Sequence, residues 1–299
     1  MKEVSDVYSI KDLEYHTGIK AHTIRIWEKR YNILEPQRTD SNIRMYTEDE
    51  LKKLLNVAYL NRNGLKISKI AKLSEDELNS TVLSVSSKFG DPNQEFHPGK
   101  ALMAAIRFEE NSFLDTLYPY LENHGFEITY SRFFLHLLEN AKILWQTGSL
   151  SRSQEYFIRN IVRDLITEEY YRIETPVTDD RFLFAVVNAA GKNADIHLLF
   201  CRYVIRSMGF DVIYPGEHLP AVEITMIHKM RPFNVLVMGY NSTSPGGRSL
   251  DYYSELGKML GLNKIIITNR VDDEDVSSFN NIIVTPTPES FYNAIEKYR

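Results

Sequence analysis

Arg25 and Lys29 stand one helical turn apart in the stretch Ala21–Tyr31, while Ile24 and Trp27 fall on a different face. Cationic side chains on a helix about 10 Å across suit the major groove of DNA, where arginines reach base edges or phosphates. Further on, Arg38 and Arg44 flank Thr39-Asp40-Ser41-Asn42, which has the composition of a hairpin tip. A hairpin with arginines at its shoulders can straddle the neighbouring phosphate backbone. Trp27 lies with Ile24 and is expected in the core.

Other chemistry is thinner. Gly191 alone after a strand is not a dinucleotide fingerprint, which needs several glycines at set spacing. Ser244-Pro245-Gly246-Gly247 reads equally as an anion nest or a plain βα loop. His218, between Glu217 and Pro220, falls near the ligand edge of a parallel sheet, and the same composition suits an exposed loop. Cys201 is the one cysteine, so neither an intrachain disulfide nor a multi-cysteine metal site can form. No His, Asp and Glu spacing makes a metal site, and no nucleophile–base pair stands out. The expectation is a protein that is not an enzyme.

The elements that must hold the arginines are clear. Lys11–His16 and Ala21–Tyr31 are helices separated by a break at Thr17-Gly18. Thr47 with Glu50 has capping-box spacing, and Leu51, Leu54, Leu55 and Ala58 carry a third helix inward. Helix, tight turn, helix, then hairpin is a winged helix-turn-helix layout. Residues 1–74 hold 14 Lys and Arg against 10 Asp and Glu, and the remaining 225 residues hold 21 against 30. A basic head on an acidic body points to an anionic partner for the head.

From Lys100 to Ile173 apolar residues recur at helical spacing in several runs, one of them Phe134, Leu137, Leu138, Ala141, Leu144 and Trp145. This reads as a four-helix bundle. After Pro176 short β-rich runs alternate with helical stretches, which implies a doubly wound parallel sheet of Rossmann-like, flavodoxin-type α/β architecture. The expected division is a head at 1–75, a flexible linker at 76–99, a bundle at 100–175 and an α/β domain at 176–299. With 299 residues, 43% of them hydrophobic, no run long enough to span a bilayer and no secretory signal, the expected location is the cytoplasm.

The string Thr23-Ile24-Arg25-Ile26-Trp27-Glu28-Lys29-Arg30-Tyr31, followed by Leu34, Pro36, Arg38-Thr39 and Arg44-Met45-Tyr46, resembles the MerR family of transcription regulators. Its Trp-Glu-x-Arg-Tyr form resembles the CarH/LitR-type subgroup, whose C-terminal half is a cobalamin-binding sensor. The resemblance implies major-groove contacts from His22, Thr23 and Arg25, phosphate contacts near Arg30 and Tyr31, and a wing held or formed by Arg38, Arg44 and Tyr46. The family wing usually has glycine at its tip, where this chain has Ser41 or Asn42.

In that subgroup two histidines bind cobalt, one in the loop after the first strand of the sensor and one on the bundle. The loop run falls here on Ala194-Asp195-Ile196-His197, with Ala194 at the ligand position and His197 in place of glycine. On the bundle, Trp145 and Glu155 keep the subgroup's spacing, but Tyr156 follows where histidine is expected. Alanine offers cobalt no lone pair, and phenol is a poor substitute for imidazole near neutral pH. Reading Asp195-x-His197 as a shifted ligand pair would put Phe200 where the motif needs glycine. The runs after the third and fourth strands, Met238-Gly239-Tyr240-Asn241 and Thr268-Asn269-Arg270, are weak matches to the subgroup's nucleotide-tail contacts.

The sequence therefore predicts a transcriptional regulator that binds double-stranded operator DNA and pairs with itself as dimer or tetramer through its C-terminal half. That half would respond to a small-molecule or protein effector with no cofactor and no membrane contact. The alternatives are a cobalamin-dependent, light-responsive repressor, and a signalling adaptor that binds another protein.

Overall fold

A computed structural model describes residues 7–39, 42–87, 98–174, 176–177, 179–188, 195–216, 219–239, 249–262, 264–268 and 279–299. The chain forms two compact units, 1–158 and 159–299.

The first unit opens with α1 (Ile10–Thr17), whose start is fixed by a capping box between Ser9 and Asp12. Gly18 ends it in the left-handed region at φ 70°, and a side chain there would meet the guanidinium of Arg62 at 2.8 Å. Next come α2 (Ala21–Tyr31) and the antiparallel pair β1 (Gln37–Arg38) and β2 (Arg44–Met45). Then α3 (Glu48–Arg62) begins with the Thr47–Glu50 capping box that the sequence predicts, and α4 (Ile67–Ile70) follows.

The next segment departs from expectation. Residues 76–99 read as a flexible linker, yet Glu75–Ser87 is a helix, α5, that packs on α3. Its Leu78 and Val82 are one turn apart and buried, and that apolar pair ties the segment down. Residues 88–97 lie outside the described residues. The bundle continues through α6 (Pro98–Ile106), α7 (Glu110–His124), α8 (Phe126–Thr129), a π-helical turn at Tyr130–Phe134, α9 (Leu135–Gln146) and α10 (Arg152–Tyr171). Phe113, Phe133 and Phe134 are buried at its centre, with ring centroids of Phe113 and Phe133 6.3 Å apart. The first unit holds the head with the helices up to residue 158, and α10 carries the chain from there into the second unit.

The second unit holds the sheet: β3 (Asp179–Val187), α11 (Asp195–Ser207), β4 (Phe210–Ile213), α12 (Ala221–Met230), β5 (Val235–Gly239), α13 (Ser249–Met259), β6 (Lys264–Thr268), β7 (Ile282–Thr285) and α14 (Pro288–Glu296). The five strands are all parallel in the order β4-β3-β5-β6-β7. This is the flavodoxin-type order, and it places a ligand crevice at the carboxyl ends of β3 and β5. β5 is buried at every position, as a central strand covered on both faces must be.

Candidate functional site

The turn between α1 and α2 is set by one carboxylate. Glu14 Oε2 accepts from the backbone N–H of Ala21 at 3.0 Å, and Oε1 pairs with Lys20 at 3.1 Å. Glu14 thereby satisfies an N–H at the start of α2, where Lys20 supplies no side-chain cap. These contacts hold its carboxyl below the usual range, the Lys20 hydrogen bond first. Buried Ile24 anchors α2 from the other face.

With α2 so fixed, His22, Arg25 and Arg30 are exposed and Thr23 is half-buried. The Arg30 guanidinium lies over the Tyr31 ring, 5.3 Å from its centroid. Trp27, expected in the core, is only half-buried. Arg38 is exposed and donates to Asn42 Oδ1 at 2.5 Å. Asn42 takes φ 62°, a left-handed conformation that asparagine tolerates better than most residues. Asp40 and Ser41 lie outside the described residues.

The β1–β2 hairpin is tied to α2 through Glu28. Arg44 Nε donates to Glu28 Oε2 at 3.1 Å, and the Tyr46 hydroxyl donates to Oε1 at 2.5 Å. Tyr46 is fully buried, and burial first, then the Glu28 bond, pushes its phenol pKa upward. Its backbone also bridges to Tyr8, with both N–H···O distances at 2.9 Å. A fully buried Tyr46 holds the wing and has no surface from which to reach a phosphate, which corrects its place among the candidate DNA contacts. Arg44 is half-buried in the same clamp. Sequence reasoning missed the roles of Glu14 and Glu28. Glu28 lay inside the family string, but nothing local showed that two wing residues converge on it.

The sensor positions fall out separately. Tyr156 is 49% exposed, and Arg152 lies over both its ring (4.8 Å) and that of Trp145 (4.3 Å). Glu155 is buried. Ala194 lies outside the described residues, as do Gly191, Glu217, His218, Tyr240, Asn241, the stretch Ser244–Gly247, Asn269 and Arg270.

His197, which stands where the subgroup has glycine, is buried on α11. Its Nε2 stands 2.6 Å from Thr268 Oγ1 at the end of β6. Burial lowers its pKa to about 4, so the ring is neutral at pH 7. Phe200, one turn on, is also buried, its ring 6.4 Å from that of His197. A ring nitrogen already engaged by Thr268 is a poor cobalt ligand, and alanine and an arginine-covered phenol supply no imidazole. The residues present do not fit a histidine-ligated cobalamin. Among the described residues no cluster of three or more His, Cys, Asp and Glu side chains could hold a metal ion, and no helix is long and apolar enough to cross a membrane.

Residues 8–77 match the MerR HTH family regulatory protein model, so the chain carries a MerR-type helix-turn-helix domain ahead of its helical bundle and parallel sheet. It is similar to the HTH-type transcriptional repressor CarH of Myxococcus xanthus, with 27% identity over 211 residues, 69% of this chain and 70% of that protein. It is also similar to the HTH-type transcriptional regulator MlrA of Escherichia coli K12, with 30% identity over 71 residues, 24% of this chain and 29% of that one. Among solved structures, the monomethylamine corrinoid protein of Methanosarcina barkeri aligns over 66% of this chain and 96% of its own, with 14% identity and a TM-score of 0.49.

Proposed function

We propose that this protein is a transcriptional regulator that reads double-stranded operator DNA with α2 and its wing. The observation that carries this reading is the exposure of His22 and Arg25 on a helix whose wing is locked to it through Glu28. Arg25 reaches base edges from the groove, while Arg30 and Arg38 meet phosphates on either side. The bundle and sheet pair two or four copies so that heads match two-fold related half-sites. The protein acts in the cytoplasm and performs no catalytic step.

The sensor works without histidine ligation of cobalt and answers to another effector. Ala194 and Tyr156 at the two ligand positions support this, together with His197 held by Thr268. A second reading, a cobalamin-dependent regulator, is favoured by the similarity to CarH, which extends well beyond the head. The test is selection of genomic fragments by the purified full chain, followed by footprinting. Protection of an inverted repeat supports the reading. Uniform binding to all fragments, or none, refutes it.

A further inference from the structure

The head is not loosely tethered to the bundle. Asn56 of α3 is 3% exposed, and its amide is buried against the loop between α9 and α10. Its Nδ2 donates to the Thr147 carbonyl at 2.9 Å and to Asn79 Oδ1 of α5 at 2.9 Å, and its Oδ1 accepts from Ser149 Oγ at 3.3 Å. A buried amide with these bonds made fixes the relative placement of its neighbours, because leaving any of them unmade is costly.

Beside this seam a cleft of about 430 Å³ opens between α3 and the same loop, a volume in the range of small-molecule sites. Leu51 and Leu55 of α3 and Leu150 of the loop give it an apolar floor. The Trp145 ring forms one wall, with the Arg152 guanidinium stacked over it. Lys52 and His16 line the head side. Glu48 is the carboxylate in the lining, and Lys52 already engages it at 2.9 Å. Arg152 rests on aromatic rings and makes no ion pair with a described residue. The lining carries Lys52 and Arg152 against Glu48, with Lys52 also 3.9 Å from Asp49, so Arg152 is its cation without a carboxylate partner among the described residues.

We propose that this cleft binds a planar aromatic molecule carrying one carboxylate, its ring on the leucine floor beside Trp145 and its charge between Lys52 and Arg152. Such a ligand touches α3 and the bundle loop at once, next to the Asn56 seam, so its binding bears on how the head is held. The regulatory consequence rests on the DNA-binding reading above; the binding itself does not.

Calorimetric titration of the full chain with 2-naphthoate, and separately with the uncharged 2-naphthamide, tests it. Naphthoate should bind at one per chain, and the amide at least tenfold more weakly. The double variant Lys52→Met/Arg152→Met should lose at least tenfold for naphthoate and little for the amide. Absence of naphthoate binding, equal binding of the amide, or undiminished affinity in the variant overturns the site. Saturating naphthoate should shift operator affinity at least threefold, and an unchanged affinity overturns the coupling. A chain with no operator affinity would count against the DNA reading while the calorimetry still decides the site.

Discussion

Tyr46 and Glu28 are joined by a 2.5 Å hydrogen bond that ties the chain just past the wing to the recognition helix. Arg44, two residues earlier, occupies the other carboxylate oxygen at 3.1 Å. One acid on α2 therefore receives two donors from the far side of the hairpin. Helix and wing are positioned together, which DNA reading by two adjacent elements requires.

Glu28→Gln should consequently damage the head twice over. The amide keeps one acceptor but turns an N–H group toward a donor, leaving Arg44 or Tyr46 unsatisfied at a cost of about 1–3 kcal/mol. Thermal melting should show a lower midpoint, and operator affinity should fall with it. Tyr46→Phe should lose stability without changing the number of phosphate contacts, so the salt dependence of binding should keep its slope. A flatter slope in Tyr46→Phe would put the phenol on the DNA.

Arg25→Ala should behave in the opposite way. The side chain is exposed and makes no hydrogen bond or ion pair with a described residue, so melting should be unchanged. Loss of a base-edge arginine should weaken operator binding by about 1–3 kcal/mol and relax preference at one base pair. Gel shifts on a panel of single-base operator variants read both effects.

His197 makes stability pH-dependent on the acid side. Its folded pKa is lowered to about 4 by burial, against about 6.5 in an unfolded chain. The unfolded state therefore takes up the proton first, and stability present above pH 6.5 drains away as pH falls toward 4. By linkage about 2 kcal/mol of this is lost by pH 5. Urea unfolding at pH 7.5 and pH 5 should show this loss in the wild type and a smaller one in His197→Gln.

The head was legible in the sequence because its rules are local. Gly18 marks a left-handed turn, and Thr47 with Glu50 marks a cap. Ser41 or Asn42 in place of glycine left the wing tip open in the sequence; of the two, Asn42 takes a left-handed φ of 62°. The alternation of strands and helices sufficed for the parallel sheet. What escaped was non-local. Nothing near Asn56 shows that it reaches Thr147, 91 residues away, and α5 carries just two buried apolar side chains, Leu78 and Val82, too few to outweigh its polar composition. Nothing near His197 shows that it meets Thr268 on a strand 71 residues on.

Pairing of heads should be visible on the DNA. Destroying one half of the inverted repeat should weaken binding of the full chain at least tenfold, since the second head then loses its effective concentration. Equal affinity for the whole and the halved operator would leave the bundle and sheet without a role in assembly.

With Ala194 and Tyr156 where the resemblance puts the two cobalt ligands, the proposed regulator should not take cobalt on histidine. Equilibrium dialysis of the full chain against adenosylcobalamin in the dark, followed by operator binding before and after green illumination, tests this directly. Cobalamin should not be retained stoichiometrically, and light should leave operator affinity unchanged. One cobalamin held per chain, with operator affinity that shifts on illumination, would contradict this reading.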